Sequence, residues 1–292
     1  MSESDFTIAG SSHSVPDDFD YCELTNDLLF HMVFSQNKTA LRSLLSSLLG
    51  IPESNIQNID VLNPIQYSES IDTKITVLDL KLYLNNEQFI LVEMQVRRFE
   101  YWTDRTMLYA CRQIDEQSRG QDFQYSGLHP VIQIAIMNHT LFPDHRKFYA
   151  HYTLRDEEGY CYSNKLAFYV LDLTAMETAT PKEREQGLVE WARAFNARDW
   201  HEFNQIDNSG VREVARTMET IMSKPSERQL LWDRKLAQMD YDSQIASAKK
   251  EGEARLGRLM RRLMEANRTS DAFKAAADQA YRDQLYRELG IN

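Results

Sequence analysis

Two neighbouring stretches alternate apolar and polar residues with a period of two, and together they fix the middle of this chain as a β-hairpin. The first runs from Thr76 to Leu84 and places Leu78, Leu80, Leu82 and Leu84 on one face. Asn85, Asn86 and Glu87 supply the turn, and Phe89 to Val96 returns with Ile90, Val92, Met94 and Val96 on one face. Such alternation marks strands with one side on a core. Joining the apolar faces pairs Leu80 with Val92, and that register sets Asp79 opposite Glu93. Directly opposed carboxylates, about 5 Å apart at Cβ, repel each other unless a cation lies between them. The pair therefore predicts a divalent-metal site, and hard oxygen ligands favour Mg²⁺ or Mn²⁺. Acids on the outer face of an amphipathic hairpin are more often plain solvated charges. Here the return strand is almost wholly apolar except at Glu93 and Gln95, as an inner strand is, and an acid there needs a partner or a task.

Around the hairpin the pattern is mixed α/β. Asn26 to Leu49 carries Leu28, Leu29, Met32, Val33, Leu41, Leu44, Leu45 and Leu48 at helical spacing, as one helix or a pair. Thr25 or Asn26 suits its N-cap, and Gly50 with Pro52 ends it. Residues 59–65 are expected to be extended, 104–119 helical with a stop at Gly120, and 130–137 a buried strand; 147–154 and 166–171 are further strand candidates. Beyond Pro181 the strands cease. Residues 183–196, 211–222, about 227–267 and the stretch up to 289 read as helices. The expected organisation is a polar, disordered leader over 1–19, an α/β domain over 20–180 and a helical C-terminal region over 181–292.

At this point the chain resembles a known family. The residues that carry the likeness are Leu24 to Phe34, Asn63 and Pro64, Asp72 to Lys74, Val77 to Lys81, Val92 to Gln95, Arg105, Tyr109, Gly120 and His129 to Ile134. In this order they are similar to the PD-(D/E)XK nuclease superfamily, in its recombination-promoting nuclease/putative transposase branch, over roughly residues 20–175. The resemblance implies a restriction-endonuclease-like core, a central mixed sheet flanked by helices, and a metal-dependent DNA endonuclease that hydrolyses phosphodiesters. It implies Mg²⁺ or Mn²⁺ as cofactor, and DNA as substrate. Asp79 and Glu93 would be catalytic and hold the metal, and a carboxylate of the first helix would complete the metal shell. That role falls on Asp27, which equally suits the first turn of a helix for dipole reasons, and Glu23 is an alternative.

The general motif ends in Lys where this chain has Gln95, the usual residue of the nearer branch. Gln can orient water but carries no charge. Lys81, two residues beyond Asp79 and so on the same face, either supplies the missing charge to the catalytic site or snorkels out of the sheet. Arg105 is the expected nucleic-acid contact. A net charge of −11 opposes broad electrostatic binding to DNA, so a local track including Arg97, Arg98 and Arg105 has to suffice. The acidic balance and the absent motif Lys favour the alternative, an inactive nuclease-fold interaction or regulatory module. His31, on an apolar helix, reads as a packed histidine, and Ser43, Ser46 and Ser47 lack a nucleophile-elbow setting. The charge-rich C-terminal helices are expected to join copies of the chain, contact DNA or simply stand in solvent. Cys22, Cys111 and Cys161, odd in number and far apart, point to reduced thiols. With neither a signal-peptide pattern nor a membrane-length apolar run, a cytoplasmic location without membrane partners is expected.

Overall fold

The computed structural model describes residues 15–16, 18–63, 65–66, 76–119 and 123–291. Much of the expected leader, and Pro64, Asp72 to Lys74 and Gly120 from the resemblance, lie outside them. Phe19, at the end of that leader, is buried and its ring lies 5.1 Å from that of Trp232, so the packed chain begins earlier than expected.

The expected first helix is a pair, α1 (Asp27–Gln36) and α2 (Lys38–Leu49). Asn26 caps α1 by accepting from the Leu29 N–H, and Asn37 caps α2 by accepting from the Ala40 N–H. Two successive Asn caps explain the division, because an Asn side chain competes for the N–H groups that start a helix. Gly50 closes α2 in the left-handed region. Strands β1 (Ile59–Leu62), β2 (Ile65–Gln66), β3 (Thr76–Val77), β4 (Leu80–Leu84) and β5 (Gln88–Gln95) follow, then α3 (Trp102–Gln117), β6 (Val131–Met137), β7 (Tyr149–Arg155) and β8 (Cys161–Asp172). The remainder is helical: α4 (Pro181–Glu185), α5 (Leu188–Asn196), α6 (Trp200–Asn204), α7 (Ser209–Met222), α8 (Pro225–Glu265), α9 (Thr269–Ala277) and α10 (Gln279–Glu288).

Six strands form one mixed sheet in the order β1-β4-β5-β6-β8-β7, and β2 pairs with β3 separately. The β4–β5 hairpin is antiparallel with Leu80 opposite Val92, in the register the alternation requires. Asn85 and Asn86 make its turn with φ of 53° and 59°. Asn tolerates that left-handed backbone, which suits the twist of a tight hairpin. From β5 the sheet turns parallel through β6 and β8, and β7 closes it antiparallel.

Alternation sorts the sheet into two buried faces. Leu80, Leu82, Ile90, Val92, Ile134 and Ile136 pack with α1, α2, α5 and α7. On the other face, Leu91, Val131 and Leu166 meet Tyr109 and Ala110 of α3, and Ala135 and Met137 meet Trp102. Helices cover both sides, so the architecture is the restriction-endonuclease-like α/β fold expected of the sequence. The region from 181 onward is helical as expected, and its first part, through α7, shares the core of the sheet. Two compact units result, one up to Trp232 and one from Asp233 to Asn292. The second has its own core of Leu259, Leu263, Ala275 and Leu285.

Candidate active site

The predicted strand from Thr76 to Leu84 is interrupted at Leu78 and Asp79, and the interruption shapes the site. Asp79 lies in a bend one residue before β4. Its Oδ2 accepts the Met94 N–H at 2.6 Å, in place of a main-chain acceptor. Its carbonyl oxygen lies 2.8 Å from His31 Nδ1 of α1. Asp79 is thus tied to β5 by its side chain and to α1 by its backbone.

Glu93 sits mid-strand in β5 as the ladder partner of Ala135, only 3% exposed. Its Oε1 is buried and has no hydrogen-bond partner. The nearest cation is the Arg105 guanidinium of α3, 3.9 Å from that oxygen and beyond hydrogen-bond range. Arg105 is itself well placed: its guanidinium lies 5.1–5.6 Å from the ring centres of Tyr109, Trp102 and Phe99, and its Nε donates to the Tyr109 hydroxyl at 2.5 Å. The rings hold it by cation–π attraction beside the acid.

Burial dominates the electrostatics. Desolvation pushes Asp79 up to about 6, opposed by the Met94 N–H bond and reinforced by the charge of Asp27. Desolvation likewise pushes Glu93 up to about 8; Arg105 opposes this and Asp79 adds to it. Glu93 thus feels the charge of Asp79, while Asp79 answers chiefly to burial, the Met94 N–H and Asp27. At neutral pH the pair without a cation therefore keeps a proton, chiefly on Glu93.

The other predicted residues divide. Gln95 shares the face of Glu93, and its Nε2 donates to the Arg97 carbonyl at 2.6 Å, which fixes the amide. Lys81 shares that face too, but its Nζ is engaged by Glu116 of α3 at 2.7 Å and is largely buried. Neither the open snorkel nor a lysine poised at the carboxylates describes it. Asp27 stands close enough to raise Asp79, while its Oδ1 accepts from the Leu28 N–H in the first turn of α1. Among the described residues, no three His, Cys, Asp or Glu side chains converge closely enough to hold a metal ion. The expected three-acid shell is therefore not assembled as it stands.

Sequence reading missed Glu116, and read His31 as a packed histidine without its tie to Asp79. His31 follows Asp27 by four residues and so shares its helix face, a signal that the apolar setting outweighed. Glu116 lies three helical turns beyond Arg105 on α3, a spacing that identifies a shared face but not the lysine it meets.

The residue set fits a hard divalent cation on its own chemistry. A buried carboxylate oxygen without a partner, coupled to a second, partly buried acid, lacks a positive charge. The chain matches the model of the PD-(D/E)XK nuclease family transposases over residues 24–248 and belongs to that family, which makes its function nuclease- or transposase-like. No curated protein and no solved structure shows detectable similarity to it. No described helix is long and apolar enough to cross a membrane.

Proposed function

We propose that this protein is a DNA endonuclease that hydrolyses phosphodiester bonds with Mg²⁺ or Mn²⁺. The observation that carries the reading is the orphaned, buried Oε1 of Glu93 beside Asp79. Asp79 and Glu93 would be the primary ligands, and Asp27 would be the third. A cation held there would polarise the scissile phosphate and acidify a water.

The remaining work falls to side chains already in position. Gln95 Oε1 accepts a hydrogen from the attacking water and directs its lone pair along the line of attack. Arg105, one-third exposed and braced by three rings, offers its guanidinium to the phosphate oxygens as charge grows on them. Lys81 supplies a second positive charge once a substrate phosphate competes with Glu116 for it. Glu93 would hold the cation as the carboxylate, since a metal ligand has to be deprotonated.

Purified protein should nick supercoiled DNA with Mg²⁺ or Mn²⁺, and EDTA should stop it. Glu93→Ala and Asp79→Ala should each lose nearly all activity, while Gln95→Ala should lose about 10²-fold or less, because it removes orientation alone. Cutting that persists in both carboxylate variants would refute the assignment.

A second reading has its own support. The Lys81–Glu116 pair and the unassembled three-acid shell favour a nuclease-fold module that binds partners without chemistry. Calorimetric titration with Mn²⁺ separates the two: binding lost in Asp79→Ala supports the enzyme, and no binding to the native protein supports the module.

A further inference from the structure

On the same sheet face as Glu93, an open cavity of about 190 Å³ lies between α3 and strands β6 and β8. Its lining is largely apolar, with Trp102 and Met107 of α3, Phe142 after β6, and Phe168 and Val170 of β8. Beside the hydroxyl-bearing Thr103, Thr106, Tyr152 and Tyr169, one amide lines it. Gln133, in the middle of β6, also lines the cavity and is 1% exposed, and neither its amide oxygen nor its amide nitrogen has a hydrogen-bond partner. Burying both halves of an amide unpaired is costly, and an apolar side chain of equal length would avoid that cost. The amide is thus an unpaired donor and acceptor, covered as it stands, which a small turn of the side chain would present to the apolar cavity that Gln133 lines.

The position is informative. Gln133 lies two residues from Ala135 on β6, and Ala135 is the ladder partner of Glu93. Residues two apart share a face, so strand spacing sets the Gln133 and Glu93 Cα atoms about 8 Å apart. A group in the cavity would therefore be a near neighbour of a phosphate at Glu93. An apolar cavity of about 150 Å³ holds benzene, so this one suits one substituted six-membered ring better than a fused pair.

We propose that the cavity receives a pyrimidine base, thymine above all, from the strand whose phosphate lies at Glu93. Gln133 Nε2 donates to thymine O4 and Oε1 accepts from N3–H, a two-point contact that an extruded base can satisfy. The apolar walls cover the ring and its 5-methyl group, and Trp102 and Phe168 supply aromatic surface. The inference rests on the nuclease reading and adds a base preference to it.

Binding measured in EDTA tests the proposal without cleavage. The full chain is titrated with labelled short oligothymidylate, an abasic strand of equal length, oligodeoxyadenylate and free thymidine. Oligothymidylate should bind about tenfold tighter than the abasic strand, the low end for a bidentate base contact. Gln133→Met should shrink that gap to about twofold or less. Val170→Phe, which fills the cavity and keeps the amide, should shrink it too. Equal binding of thymine and abasic strands overturns the proposal, as does a gap that both folded variants preserve. Oligodeoxyadenylate binding as tightly as oligothymidylate overturns the pyrimidine assignment, and free thymidine binding as tightly as the strand overturns the strand-borne one. A Gln133-dependent gap in a protein that never cuts DNA supports the cavity and removes the nuclease reading. Glu93-dependent cutting with no gap does the reverse.

Discussion

Glu93 and Asp79 are acids held where acids ionise reluctantly, and the consequence is measurable without substrate. In the unfolded chain both lose their protons near the ordinary carboxylate values, whereas in the folded, metal-free protein burial delays this to about 6 for Asp79 and about 8 for Glu93. The folded state therefore binds more protons than the unfolded one between those limits. The resulting stability is full below the unfolded values and lost as pH rises through the folded ones, at up to ~1.4 kcal/mol per pH unit for each group. Urea unfolding of the metal-free protein should show stability falling from pH 6 to 8, and Glu93→Gln should flatten that decline. An equal slope in the variant would show that Glu93 does not titrate there. Asp79 serves two purposes that substitution can separate. Asp79→Asn keeps an acceptor for the Met94 N–H and loses the charge, so it should fold normally and be inactive. Asp79→Ala should be inactive and also about 1–3 kcal/mol less stable, the cost of an unpaired buried donor. Equal stability of the two variants would deny the structural half of the role. At this scale the sequence disclosed the two acids and their register but not the strand break, because the Asp79–Met94 bond leaves no trace in the alternation.

Among the elements, α3 contributes most to the site without carrying either acid. Its inward face brings Arg105 to Glu93, Glu116 to Lys81 and Trp102 to the apolar cavity. The sequence predicted a helix at 104–119 and the structure has Trp102–Gln117, but which strand residues it meets follows from how it lies on the sheet. Across the sheet, α2 and α7 pack together at Gly210, where a Cβ would overlap Ser43 and come 2.9 Å from the Trp191 ring. Gly210→Ala should therefore cost about 1–3 kcal/mol in unfolding free energy, as overpacking of a filled core does. A neutral result would mean that the two helices part easily. Ser43, dismissed as a nucleophile from sequence, earns its small size at this contact. The helices α4 and α5 were expected as one element; Gly187, at φ 76°, divides them. Five-residue α6 escaped prediction because so short a segment shows hardly more than one helical period.

Among the described residues, the buried apolar side chains of the two units form separate sets. The first takes its residues from the chain up to Leu231 and Trp232, and the second from Leu259 onward. Between them, every residue of α8 from 237 to 254 is exposed. Cores that share no residues should melt separately, so calorimetry should resolve two transitions, and a chain ending at 236 should keep only the larger. A single two-state transition would contradict this. Part of the charge of the C-terminal helices serves the second core: Arg255 donates to the Ile291 carbonyl and stacks on Tyr286, and Arg262 donates to the Leu289 carbonyl. Those side chains close the end of α10, which weakens their claim as a DNA track. The sequence by itself determined the hairpin, its Leu80–Val92 register and the α/β class, because alternation and turn chemistry act between residues close along the chain, but not the bend that takes Leu78 and Asp79 out of the ladder. Only the tertiary structure decided that Lys81 meets Glu116, that Arg105 stands beside Glu93 and that Gln133 lines an apolar cavity. Those outcomes depend on which helix lies over which strand, and the residues that meet are separated by tens of positions that carry no shared period.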